Sequence, residues 1–259
     1  MDRLAAVKKL NAQLLAEMPD LQVAEIPDDL LSQRKLLRAL MNVRPPMPLD
    51  AEFLKLQDEI LSAEVKERGV VKVSEIPSVE KNLKIWQGDI TRLDADAIVN
   101  AANSALLGCF VPLHGCIDNA IHSAAGLQLR EECAAIMRQQ GYEEPTGQAK
   151  ITAGYNLPAK HVIHTVGPII QGPVTEEDEQ LLASCYRSCL TVAADAGLES
   201  IAFCCISTGE FHFPNQRAAE IAVRTVKDFL GRDARIRIVV FNVFKDLDAE
   251  VYHHLLDKR

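Results

Sequence analysis

The sequence predicts an α/β fold, with helices on both faces of a mostly parallel sheet, behind a helical N-terminal extension. Three observations carry this expectation. Residues 1–68 hold apolar side chains at three-to-four spacing, the period of amphipathic helices. The pattern changes at Gly69, after which short β-rich runs alternate with helical ones, as in strands joined by crossover helices. A chain of 259 residues is long enough for one large core and an appendage.

Taken in order, "LAAVKKLNAQLLAEM", "DDLLSQRKLLRALMN" and "DAEFLKLQDEILSAEVKERG" each read as a helix. "RPPMPLD" separates the second from the third, and Asp50 is placed to cap the third. Residues 69–259 form the sheet-bearing domain. After "VVKVSEIP", its strand candidates are "LKIWQGDI", "AIVNA", "AKITAGY", "HVIHTVG", "SIAFCCIS" and "RIRIVVFNVF". Asp89 ends the first, Asn100 and Asn103 lie at the end of the second, and Cys204 and Cys205 are neighbours in a strand, facing opposite ways. Helical candidates are 117–125, 127–140, 177–196, 215–230 and 247–257. No internal repeat or low-complexity tract is present, and "TEEDEQ" reads as the solvated first turn of a helix.

The composition excludes several function classes. With 48% hydrophobic and 25% charged residues the chain is an ordinary globular protein. No apolar run reaches the roughly 18 residues of a membrane span, and "MDRLAAVKKL" lacks the apolar segment of a signal peptide, so no membrane partner and a cytoplasmic location are expected. Seven cysteines without an export signal argue for thiols or metal ligands rather than a disulfide framework. A net charge of −8 argues against a nucleic-acid polymer as partner. A small anion remains compatible, because backbone N–H groups and helix N-termini can hold phosphate without a basic surface.

Three segments place polar residues where strands end, the position at which open α/β sheets bind ligands. "GDITRLDADAIVNAANS" carries Asp89, Asn100 and Asn103. In "ISTGEFHFPNQRAAEIA" a strand enters a Ser-Thr-Gly turn and a helix begins at Pro214, a loop of free N–H groups suited to a phosphate. "TGQAKITAGYNLPAKHVIHTVGP" has Gly154 and Gly167 as turn residues. Asp89 could equally be a capping carboxylate, and Asn100 and Asn103 turn formers.

In this order "GDIT", "AIVNAANS", "IHSAAG", "GQAKITAGYNLP", "HVIHTVGP" and "ISTGEFHFP" resemble the macrodomain family over approximately residues 82–257. The resemblance implies a three-layer α/β/α sandwich with a mixed, mostly parallel sheet that binds ADP-ribose. It implies that Asp89 accepts a hydrogen bond from the adenine amino group, with Ile90 nearby. Asn103 would reach the distal ribose, and the loop of Ser207, Thr208, Gly209, Glu210, Phe211 and His212 would wrap the diphosphate. His212 could face the ligand or simply be exposed. An aromatic of the last strand would cover the adenine; Phe241 and Phe244 are three apart, on opposite faces, and Phe244 is the choice. Asn100 is expected to pin the loop.

The chain departs from common macrodomains in one stretch. Their glycine-rich loop is replaced, between Gly108 and Asp118, by the longer, glycine-poor "CFVPLHGCI". The gain is Cys109, His114 and Cys116 in a Cys-x4-His-x-Cys pattern, whose thiolates and imidazole are the ligands zinc prefers. The alternatives are a Cys109–Cys116 disulfide, a thiolate nucleophile with His114 as base, or unrelated buried thiols. The pattern also resembles the zinc-containing subclass of macrodomains, whose members remove mono-ADP-ribose from proteins. Cys133, Cys185 and Cys189 fall on other helices, so no fourth ligand is near in sequence, and one Zn2+ with a position open toward the distal ribose is expected. Asp118 and His122 match the "D-x-x-I-H" segment of hydrolytic macrodomains. Asp118 would then activate or orient water and also cap its helix, Asn103 would hold the ribose, and His122 would pack inward. The expected function is zinc-dependent hydrolysis of mono-ADP-ribose from protein. A reader of ADP-ribosylated proteins and a hydrolase of small ADP-ribose esters are the other readings.

Overall fold

The computed structural model describes residues 2–23 and 25–256. The expected helix over 247–257 therefore has its last position outside the described residues. Three helices open the chain: α1 (Arg3–Glu17), α2 (Leu30–Val43) and α3 (Ala51–Arg68). Each is started by an aspartate, Asp2, Asp29 or Asp50, whose carboxylate accepts from free amides of the first turn. Their apolar faces share a small core of Val7, Leu10, Leu14, Leu37, Leu40, Phe53 and Ile60. Leu127 of the sheet-bearing domain completes it. Each large side chain buried there contributes roughly 1.5–3 kcal/mol.

The rest of the chain runs β1 (Val71–Lys72), β2 (Ser78–Glu80), β3 (Leu83–Gln87), a single 3-10 turn (Ile90–Arg92), β4 (Leu93–Asp94) and β5 (Ala97–Ala102). Then come α4 (Ile117–Ala125), α5 (Leu127–Gln140), β6 (Ala149–Ala153), β7 (His161–Val166) and α6 (Glu176–Asp195). The chain closes with β8 (Ser200–Phe203), α7 (Asn215–Leu230), β9 (Ile238–Val243) and α8 (Asp246–Leu256). Seven strands form one sheet in the order β2-β3-β9-β8-β5-β7-β6. The central pairs are parallel, and only the edge pairs β2–β3 and β6–β7 are antiparallel. This is the expected mixed, mostly parallel sheet between helical layers.

β5 and β8 are hydrogen-bonded neighbours, yet the chain leaves them in opposite directions, from β5 toward β6 and β7 and from β8 toward β9. Their outgoing loops diverge and open a crevice at the carboxyl ends of the strands. Buried on both faces, the central strands are mostly apolar, with Asn100 in β5 and Ser200 at the start of β8 as polar exceptions.

Several expectations shift by a few residues. β8 ends at Phe203, so Cys204 and Cys205 lie in the segment after it rather than in the strand. β3 ends at Gln87, and Asp89 starts the 3-10 turn instead of ending the strand. Pro214 is the cap of α7, whose first helical residue is Asn215. No helix among the described residues is long and apolar enough to cross a membrane.

Candidate active site

Beyond β5 the chain makes the Cys/His loop and then α4. Asn103 follows β5 immediately, its Nδ2 donating to Gly108 O at 3.1 Å and its Oδ1 accepting from Ala105 N. Nδ1 of His114 lies 3.7 Å from Sγ of Cys109, and one donor atom from each of Cys109, His114 and Cys116 falls within 4.8 Å of the others. All three side chains are half-buried. Zinc bonded to sulfur at about 2.3 Å and nitrogen at about 2.0 Å in a tetrahedron sets its ligands roughly 3.5–3.8 Å apart. The two sulfurs and the imidazole fit such an ion with little movement. Burial, with Cys109 and Asp118 nearby, pushes the Cys116 thiol up to about 11; a cation between the sulfurs is what would favour the thiolate.

Cys116, not Asp118, caps α4: its Sγ accepts from Asn119 N at 3.4 Å. Asp118 sits in the first turn with its carboxylate turned inward, 5% exposed. Asn100 Nδ2 donates to Oδ1 of Asp118 at 2.7 Å, and Asn103 Nδ2 stands 3.4 Å from Oδ2. Burial pushes the Asp118 carboxyl up to about 6, against the hydrogen bond from Asn100 and the charge of Arg130. Asn100 is therefore not a loop pin. It lies within β5, fully buried, and spans Asp118 and Nδ1 of His164, 3.1 Å away. A polar residue inside a two-face-buried strand must find partners. That was the available signal in "AIVNA".

Behind this pair lie His122, Cys133 and His164, all buried. His164 Nε2 is 3.0 Å from Thr152 Oγ1 and 3.7 Å from Cys133 Sγ. Burial holds both histidines neutral, pulling His164 down to about 3 and His122 well below its ordinary value. His122 packs inward as expected; its Nε2 is 3.5 Å from Asp118 Oδ1 without the alignment of a hydrogen bond.

The loop after β8 is shaped by main-chain hydrogen bonds. Phe213 N donates to Ser207 O, His212 N to Gly209 O, and Ile170 N to Phe211 O. Ser207 and His212 take positive φ, and Ser207 is buried while Gly209, Glu210 and His212 are exposed. The amides of Gly209, Glu210 and Phe211 meet no backbone carbonyl among the described residues, which leaves them for an anion. Thr208 Oγ1 donates back to Cys205 O. Glu210 Oε1 reaches within 3.8 Å of His114 Nε2, so this loop faces the Cys/His loop across the crevice.

At the other end, Asp89 Oδ1 accepts from Thr91 N and Oγ1, and Oδ2 accepts from Arg68 of α3 at 3.0 Å. The Ile90 side chain is buried beneath it. Phe241 is buried against Tyr252, whereas Phe244, just past β9, is 75% exposed and is the aromatic free to stack. Sequence reasoning missed Arg68, Arg38, Asn42 and Arg130, which reach these loops from distant helices.

The Macro domain family model matches residues 99–222. A protein-ADP-ribose hydrolase of Treponema medium is 52% identical over 94% of this chain and 95% of its own length. Among solved structures, the Oceanobacillus iheyensis macrodomain with ADP aligns with a TM-score of 0.61 at 39% identity, over 69% of this chain and 92% of that one. The Trypanosoma brucei macrodomain in complex with ADP-ribose gives 0.66 at 29% identity, over 84% and 94%.

Proposed function

This chain belongs to the Macro domain family, and from that premise we propose that it is a hydrolase releasing mono-ADP-ribose from modified proteins, with one zinc ion held by Cys109, His114 and Cys116. The relative named as a protein-ADP-ribose hydrolase, similar over nearly the whole chain, supports the hydrolase reading. One observation carries the zinc-dependent form of it: the three donor atoms converge within 4.8 Å in the loop leading directly into the helix of the buried Asp118.

The residues divide the work along the crevice. Asp89 and Phe244 take the adenine at one end, Asp89 by accepting from its amino group and Phe244 by covering its face. The Ser207–His212 loop offers amides to the diphosphate. Asn103, fixed at Oδ1 by Ala105 and at Nδ2 by Gly108, holds the distal ribose in register. Asp118 orients a water and accepts its proton as the water oxygen bonds to the ribose carbon and the link to the protein side chain breaks, the side chain leaving with the bonding electron pair and free to take up a proton from solvent. A carboxyl at about 6 is ionised at neutral pH yet more basic than an exposed aspartate, as a general base should be. Asn100 keeps that carboxylate pointed by holding Oδ1. Held by Cys109, His114 and Cys116, a zinc ion would supply Lewis acidity to this reaction.

The test is elemental analysis of the purified protein, then release of ADP-ribose from a modified protein with and without a strong chelator. Stoichiometric zinc and chelator-sensitive release are expected. Full release from protein stripped of metal would remove zinc from the scheme while leaving the hydrolase.

A further inference from the structure

The extension makes polar contacts to the Cys/His loop at the Pro112–Leu113 and His114–Gly115 peptide units, which bracket Leu113 and His114. Leu113 has positive φ, 57°, a strained conformation for a leucine, and its side chain is 46% exposed, so packing does not explain it. Its N–H donates to Oδ1 of Asn42, on α2, at 3.0 Å. Asn42 is itself buried and anchored, its Nδ2 donating to Ser123 Oγ of α4 at 2.9 Å. On the other side of the imidazole, Arg38, one turn back on α2, donates through Nη2 to His114 O at 3.2 Å and to Asn119 Oδ1 at 2.8 Å. Asn119 in turn donates its N–H to the Cys116 sulfur and its Nδ2 to Val111 O.

A third tie runs the opposite way. Arg130 of α5, 3% exposed, donates to Leu107 O at the loop's start and to the carbonyls of Met41 and Arg44 at the end of α2. A guanidinium at a helix C-terminus is favoured by the helix dipole. It also stacks over the Phe110 ring at 4.3 Å. Thus α2 and the loop are bound to each other by side chains from both domains.

We propose that α2 is part of the metal site: Arg38 and Asn42 are positioning residues that hold the backbone on either side of His114 and so set the protein's affinity for zinc. The proposal rests on the reading of Cys109, His114 and Cys116 as zinc ligands. It gives the extension a definite role, since freeing these two peptide units lets Leu113 relax from its strained φ and carries the imidazole away from the two sulfurs. Partners that orient metal ligands in this way typically matter by 10–100-fold in affinity, an order-of-magnitude guide.

The experiment compares the full-length protein with Arg38→Ala, Asn42→Ala and the pair combined. Zinc affinity is read by competition with a chromophoric chelator, and site geometry by the visible ligand-field bands of the Co2+-loaded protein. Arg34→Ala is the control, because Arg34 lies on the same helix but pairs with Glu64 of α3, away from the loop. The expected result is a loss of zinc affinity of about 10–100-fold with altered Co2+ bands in the loop-facing variants. ADP-ribose binding by calorimetry should stay within a few-fold, and Arg34→Ala should hold zinc as the parent does. Arg38→Lys keeps the charge but cannot span His114 O and Asn119 Oδ1 as the guanidinium does; it is the gentler variant and should shift the same readouts. Parent-like zinc affinity and Co2+ bands in these variants overturn the proposal while the zinc reading stands. A parent protein that takes up neither metal overturns both.

Discussion

Two loops leave adjacent strands and face each other across the crevice, and they are built in opposite ways. The loop after β8 is held by main-chain bonds, Phe213 to Ser207 and His212 to Gly209 within it and Phe211 to Ile170 of the segment after β7. The loop after β5 is held by side chains: Asn42, Arg38 and Arg130 from other helices, Asn119 from the helix it leads into, and its own Asn103. The first therefore tolerates changes in most of its side chains, whereas the second depends on particular residues more than 60 positions away in the chain. A phosphate needs only amides pointing the right way. Three donors that are to share one ion must meet at one point, and a main chain with only the local bonds Leu106 N to Asn103 O and His114 N to Val111 O does not specify that alone.

The sharpest way to break the contrast is at the ligands. Cys116→Ala should lower turnover by about 10³-fold or more, the worth of several kcal/mol of Lewis acidity, while ADP-ribose affinity changes far less. Single-turnover release and calorimetry check the two halves. Full activity in that variant with zinc verifiably absent would falsify the metal's role. Next in size, Asp118→Asn should cost roughly 10²-fold or more in turnover with binding retained; equal losses in affinity and rate would make Asp118 a ligand contact rather than a base.

The backbone-held loop gives a test of its own. A Cβ on Gly167 would stand 2.0 Å from Ser207 Oγ, so Gly167→Ala should destabilise the protein by about 1–3 kcal/mol in urea unfolding and weaken ADP-ribose binding. Gly209 lacks positive φ and would meet nothing within 4 Å, so Gly209→Ala should stay within about 0.5 kcal/mol of the parent. A large loss there would show that the exposed turn is less permissive than its main-chain bonds imply.

The side-chain-built half should also be the pH-sensitive half. His122 and His164 are neutral in the fold, His164 down to about 3, while the unfolded chain protonates both near 6.5. Below about pH 6.5 the unfolded state gains protons that the folded state refuses, so stability falls as pH falls, by at most about 1.4 kcal/mol per unit for each histidine. Asp118, raised to about 6, works the other way between about pH 6 and 4, since the folded state then takes up a proton first. The net slope is set by two histidines against one carboxyl. Urea midpoints from pH 7 to 5 should show the decline, and His164→Gln should flatten it; an unchanged slope assigns the effect to other groups.

Much of this was legible beforehand where local physics decides. Helices 117–125, 127–140 and 215–230 match the folded elements residue for residue, because apolar period and glycine or proline boundaries act within a few residues. Phe244 was chosen over Phe241 without a structural reason; the end of β9 supplies one, by burying the first and exposing the second. Asn100 was expected to pin the loop although it already stood in the strand "AIVNA"; the sheet order, by burying that strand on both sides, turns it inward to Asp118 and His164.

By itself, then, the sequence determined the periodicities, hence the elements and their sheet, and the set of donors in the turn before α4. Those depend on neighbours along the chain. Tertiary structure alone decided that Asn100 would aim Asp118, that Arg68 would meet Asp89, and that α2 would grip the loop around His114. Such contacts join groups far apart in sequence through directional hydrogen bonds, and no local pattern encodes which distant donor finds which acceptor until the packed core has fixed the distances between them.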